Sequence, residues 1–181
     1  MKNHFKIFIG TVLFVVGFST QSWGQKEVRT PASAHYKPTF TYDLGASTGT
    51  YNNLSYTEIT VGLNWYLLDY LVWRNAIFSR FGSQISTIAG LDSSIRFVFD
   101  AETDNSKLGI GFFAGPGYRF SDTNDSGVFG EAGVVLKAVG LAIGVGVKSL
   151  IYNNPGTNPD GSNRPKQDNV IFIILAGGGA F

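Results

Sequence analysis

The 181 residues include no cysteine, one methionine and two histidines. Without cysteine there is no disulfide framework, no thiolate metal site, no cysteine nucleophile and no lipid-bearing N-terminal cysteine. The histidines are His4 and His35, too few for a histidine-rich metal centre or a conventional histidine-based triad. Charge is scarce as well, at 15% of residues, against about 25% in an ordinary soluble domain. Fourteen basic residues nearly cancel thirteen acidic ones, leaving no excess to attract nucleic acid. What is plentiful is glycine, with 23 residues, and aromatics, at 14%. The length fits one domain, two at most, and the mean hydropathy of +0.07 is too high for a disordered chain.

The first 24 residues have the three-part order of an export signal. Lys2 and Lys6 precede a 12-residue apolar run, Ile7 to Phe18, and a short polar stretch then ends in Ser22 and Gly24 at the −3 and −1 positions. Cleavage is expected before Gln25. Twelve residues make about 18 Å of helix, too short to cross a hydrocarbon core of about 30 Å as a retained anchor. His4 leaves with the signal. The mature chain then carries twelve basic and thirteen acidic residues and has no apolar run of about 18 residues. Residues 25–37 read as a short polar leader and 38–181 as the folded domain.

That domain alternates with period two in eight segments: Thr39 to Ser47, Ser55 to Leu67, Leu71 to Phe81, Gly90 to Phe99, Leu108 to Phe120, Val128 to Lys137, Leu141 to Ser149 and Val170 to Phe181. Strict alternation argues for half-buried strands. One face carries large apolar side chains and no charge, such as Ile59, Val61, Leu63 and Trp65. The other carries isolated charges among hydroxyls and glycines, such as Asp92, Ser94 and Arg96. The eighth segment is apolar on both faces, which leaves its phase open. A soluble sandwich keeps its charged face outside. Charges set singly among small residues fit a crowded interior, and apolar-out, polar-in segments of about ten residues mark an outer-membrane barrel. The expected fold is all-β: an eight-stranded antiparallel up-and-down transmembrane β-barrel.

The connections support one rim of short turns and one of longer loops. Leu68 to Tyr70 and Ala138 to Gly140 are short, whereas Gly82 to Ala89, Ser121 to Gly127 and the 20-residue Leu150 to Asn169 are longer; the last reads as a flexible outer loop. Asp100 to Lys107 is the one connection of the short-turn rim that is not very short. With an even strand count both termini lie at the short-turn rim, the periplasmic one in such barrels. Two aromatic girdles are expected. Trp65, Tyr66, Tyr70, Trp73, Phe97, Phe99 and Phe181 lie toward the terminal rim; Phe81, Tyr118, Phe120 and Phe129 lie toward the other.

The signal, the eight alternating segments and the terminal Phe181 together resemble the small eight-stranded outer-membrane barrels, the group of outer-membrane proteins A, X and W and the opacity-like adhesins. The resemblance is architectural and covers about residues 38 to 181. It implies an exported, monomeric protein in the outer membrane of a Gram-negative-type envelope. Outer-membrane lipid and lipopolysaccharide would surround it, and the barrel-assembly machinery would be its partner in biogenesis. Phe181, with Ile173 and Leu175 at even spacing before it, matches the C-terminal assembly signal of that group; Gly177 and Gly179 depart from its usual pattern.

Eight strands enclose a lumen just wide enough for side chains to fill. The inward charges Asp43, Glu58, Arg80, Asp92, Arg96, Arg119, Glu131 and Lys148 are therefore expected to form a lumenal network. Hairpin arithmetic puts Asp43, Glu58, Arg80 and Asp92 in one layer and pairs Glu131 with Lys148. Gly109-Ile-Gly111 and Gly144-Val-Gly146 do not complete a dinucleotide-binding loop. No histidine base accompanies the serines and carboxylates, and Asp160 and Asp168 lack calcium-loop spacing. No enzyme activity, cofactor, metal or nucleic-acid partner is expected. The leading functional expectation is a side-chain-filled barrel with a structural or adhesive role carried by its outer loops. Two alternatives stand beside it: a porin-like narrow channel or carrier for small apolar ligands, and a soluble periplasmic ligand-binding barrel.

Overall fold

A computed structural model describes residues 40–51, 54–83, 85–103, 108–122, 125–138, 141–157 and 161–177. The export signal, the leader with His35, Asp160 and Phe181 lie outside the described residues. Eight strands follow one another: β1 Phe40–Tyr51, β2 Leu54–Leu68, β3 Leu71–Gly82, β4 Ile85–Glu102, β5 Leu108–Ser121, β6 Gly127–Ala138, β7 Leu141–Tyr152 and β8 Gln167–Gly177. Each pairs antiparallel with its neighbours in sequence, and β8 pairs with β1, closing an up-and-down barrel. Closure joins the two strands that would otherwise be sheet edges, over Asp43 to Thr48 of β1.

Tracing register partners once round the barrel runs from Gly109 through Lys137, Ala142, Ala176, Asp43, Gly62, Ala76 and Asp92. It returns to β5 at Arg119, ten residues beyond the start. A stagger of this size goes with strands tilted by roughly 35–45°. Tilt brings inward side chains of non-adjacent strands to one height.

The alternation resolves into an inverted protein. Among the described residues, twenty-nine large apolar side chains are exposed, Ile77 at 62% and Phe99 at 65% among them, whereas twelve Asp, Glu, Lys and Arg side chains are buried. The phase left open for the eighth segment is settled: Ile171, Ile173 and Leu175 face out, and Val170, Phe172, Ile174 and Ala176 face in. Phe172 has room because Gly146 stands opposite; a Cβ there would lie 2.5 Å from the Phe172 ring.

The strands run further toward the loop rim than expected. β1 continues to Tyr51, β4 begins at Ile85 instead of Gly90, and β8 begins at Gln167 instead of Val170. Ile85 and Ile88 explain the second case: both point inward, and Ile85 packs with Tyr56, Leu150 and Tyr152. The β1–β2 and β3–β4 connections shrink to residues 52–53 and 83–84, as short as the 69–70 and 139–140 turns of the terminal rim. Only the last two connections of the loop rim, 122–126 and 153–166, are long.

Of the expected girdle residues, Phe129 is buried in the lumen at 4% exposure and Tyr66 lines an interior cavity at the terminal rim. Both occupy the inward phase of their strands. The outer aromatics that remain include the Trp65–Trp73 pair, with centroids 5.5 Å apart, and Tyr118–Phe120, at 4.7 Å.

Candidate functional site

Among the described residues, buried charge concentrates in the barrel interior, and the period-two alternation puts it there. Even-numbered positions of β2, β3 and β4 point inward, which aims Glu58, Arg74, Arg80, Asp92 and Arg96 at the axis; odd-numbered positions of β5 and β6 aim Arg119 and Glu131.

Arg119 is the hub. Its Nη1 and Nη2 donate to the two Glu58 oxygens at 2.8 and 2.7 Å, and its Nε and Nη2 donate to the two Asp92 oxygens, both at 2.7 Å. Glu58 also accepts from Arg80 Nε at 3.1 Å, and Asp92 from Lys148 Nζ at 2.7 Å. Toward the loop rim, Arg80 Nη1 donates to the Tyr152 hydroxyl at 3.0 Å, and its Nη2 is 3.5 Å from Asp168. Asp168 also accepts hydrogen bonds from the hydroxyls of Tyr56 and Tyr152.

Two smaller groups lie apart from the hub. Glu131 accepts from Arg96 Nε and Nη2 at 2.8 and 2.9 Å and from the Ser94 hydroxyl at 2.7 Å. Asp43 accepts from Arg74 Nη2 and Nε at 2.6 and 3.0 Å and from Asn64 Nδ2 at 2.8 Å. Aromatic faces cover the cations: Arg119 sits 3.8 Å from the Phe78 centroid, Arg80 4.1 Å from Tyr56, Arg96 4.3 Å from Phe113 and Lys148 4.8 Å from Phe129. Such stacking favours a cation that has left water.

All eight lumenal residues named from the sequence are buried in the interior, but their grouping differs from the single layer expected. Glu58 and Arg80 are register partners and are bonded. Asp43 faces Gly62, not Glu58, and joins Arg74. The β1–β2 turn is centred two residues later than expected, and every residue of displacement moves a hairpin register by two. The β3–β4 turn moves the other way, centred earlier than expected, which puts Asp92 opposite Ala76 instead of beside Arg80. Glu131 and Lys148 are register partners, yet Lys148 reaches Asp92 and Glu131 takes Arg96.

Arg74, Asp168, Tyr56 and Tyr152 belong to the network without having been assigned to it. Arg74 already lay on the polar phase of its segment. Tyr56 lay on the same inward phase as Glu58 within the expected second segment, whereas Asp168 and Tyr152 sit where strands outrun their expected ends. Above the mouth, Arg164 is 8% exposed and bonded to Asp125, and Thr157 bridges Asn163. Asn153 also donates from its backbone to the Ser126 carbonyl. The final loop is therefore tied to the 122–126 loop, not free.

Between the hub and the loop rim the lumen holds Arg80, Tyr56, Tyr152 and Asp168. A cavity of about 10 Å³ remains beside Glu58 and Glu131, room for about one water. A larger cavity of about 80 Å³ lies at the terminal rim. Among the described residues, no group of three His, Cys, Asp or Glu side chains is placed to hold a metal ion.

A scan against protein-family models finds no match for this chain, and a search of curated proteins finds none either.

Proposed function

We propose that the chain is an exported outer-membrane barrel of the small eight-stranded type, closed by its own side chains, that acts structurally or adhesively through its loop rim. The observation that carries this reading is the inversion of polarity: an outward face of aliphatic and aromatic residues around an interior that, among the described residues, holds five acidic and five basic buried side chains on the strands. Exposed apolar patches on soluble monomers rarely exceed a few hundred Å², whereas lipid solvates such a surface, and a closed barrel satisfies its backbone within the bilayer. The two outer aromatic pairs fit interfacial girdles. The ion pairs that span the lumen favour a plugged barrel over a channel, and the engaged lumenal carboxylates favour a structural interior over acid–base chemistry. The loop rim, tied by Arg164 and Asp125, supplies the surface for contact outside the cell.

Cell fractionation with heat-modifiable gel mobility tests the reading. The protein is expected in the outer-membrane fraction, migrating as a compact form that shifts on boiling. A mature chain found wholly in the soluble periplasm would overturn it.

A further inference from the structure

The cavity at the terminal rim is built differently from the rest of the lumen. Its lining is mostly apolar, with Val72, Val98, Phe113, Val135 and Ile174 among it, while Arg96, Asn64 and Tyr66 bring polar groups and Asp100 and Lys137 line it as a pair. Arg96 is 6% exposed and spends Nε and Nη2 on Glu131. Among the described residues its Nη1 donates to nothing. Asn64, 8% exposed, donates Nδ2 to Asp43, and its Oδ1 accepts from none of the described residues. One donor and one acceptor thus stay unused at the bottom of an apolar cup.

The charges around the cup cancel. Arg96 is matched by Glu131, Arg74 by Asp43, and at the rim Lys137 by Asp100 at 3.0 Å. A charged head group would enter without a counter-charge, at a desolvation cost that a neutral polar group avoids. A hydroxyl can accept from Arg96 and donate to Asn64 at once. An apolar cavity of about 150 Å³ holds a benzene ring, so about 80 Å³ takes a hydroxyl and the first few carbons behind it.

We propose that the terminal-rim cavity is a binding site for a small neutral amphiphile, an alkyl chain ending in a hydroxyl group, held head-first on Arg96 and Asn64. The site rests on the barrel itself and not on membrane residence.

The test uses the chain folded into nanodiscs of dimyristoylphosphatidylcholine, with ¹³C-labelled valine and isoleucine methyls, titrated with 1-hexanol, hexane, hexanoate or hexylammonium. Saturable shifts with 1-hexanol are expected at Val98, Val135 and Ile174. Ile173, the adjacent outward residue, reports partition into lipid and should drift without saturating. Hexane and both charged analogues should bind about tenfold more weakly, the factor expected for loss of one or two hydrogen bonds. Ala142→Leu, which adds three carbons to the cavity wall, should abolish the saturable response. Asn64→Leu keeps the Asp43–Arg74 pair and should reduce 1-hexanol binding to the level of hexane. Parallel, non-saturating drift at Ile173 and Ile174 would overturn the proposal. So would charged analogues that bind as tightly as 1-hexanol, or an Asn64→Leu variant with unchanged preference. If the barrel fractionates as a soluble protein, the same titration in buffer decides the matter separately.

Discussion

Arg119 makes four hydrogen bonds to two carboxylates while 1% exposed. Replacing it by methionine keeps most of the stem's volume but leaves Glu58 and Asp92 with one cation fewer. Removing one member of a buried ion pair costs about 3–5 kcal/mol; urea unfolding of Arg119→Met in lipid vesicles should show a loss of that order. Adding Glu58→Gln to the same chain should recover part of the loss, since one stranded charge disappears. On the outside the sensitivity reverses. Ile77 is 62% exposed at the middle of β3, and arginine there should cost roughly 2–4 kcal/mol if lipid surrounds it. Leu68, at the end of β2, should tolerate arginine at about 0–1 kcal/mol. Equal unfolding midpoints for Ile77→Arg and Leu68→Arg would contradict the lipid-facing assignment.

Among the strands, the inward glycines act as spacers for aromatic rings. A Cβ at Gly146 would lie 2.5 Å from the Phe172 ring and 2.6 Å from the Ala132 carbonyl oxygen, whereas at Gly130 it would meet nothing within 4 Å. Gly146→Ala should therefore destabilise by about 1–3 kcal/mol, the usual scale of overpacking. Gly130→Ala should be neutral or slightly stabilising, through reduced freedom of the unfolded chain. Matching effects of the two in thermal unfolding would refute the packing argument. The outward phase of seven strands could be read from the sequence because each has one face without charge. β8 could not be phased that way, since Phe172 and Ile174 are as apolar as Ile171 and Ile173; their direction is set by the space that Gly146 leaves. Strand ends were harder to read. Ile85-Ser-Thr-Ile88 looks like loop by its hydroxyls, yet its two isoleucines are drawn inward. These end errors moved two turn centres, so the inward set was recognisable while its pairings were not. Partners reached across the axis, such as Glu131 with Arg96, follow from the ten-residue stagger, which no single hairpin encodes.

At the scale of the whole barrel, the buried charges of the described residues sum to zero, with six of each sign, and the hub reaches across the lumen from β5 to β2. A planar bilayer containing the protein should show no steady conductance. Arg119→Ala, if it folds, should leak more than the parent, because it removes the side chain that joins Glu58 to Asp92. A parent barrel that conducts steadily would show that the hub does not seal the lumen.

The bonds across the lumen also bear on how such a chain can be assembled. Arg119 and Glu58 are 61 positions apart, Lys148 and Asp92 56, and Arg96 and Glu131 35. No isolated hairpin contains both members of any of these pairs. A partly formed sheet leaves these cross-lumen bonds unmade, although Glu58 with Arg80 and Asp92 with Arg119 can already pair within the β2–β3 and β4–β5 hairpins. The remaining bonds form as the sheet curls toward the β8–β1 seam. Ring closure and completion of the lumenal network then go together, slowed by the long sequence distances that must be joined. A half-closed barrel would leave part of its interior polar groups without partners, at the cost such groups carry away from water.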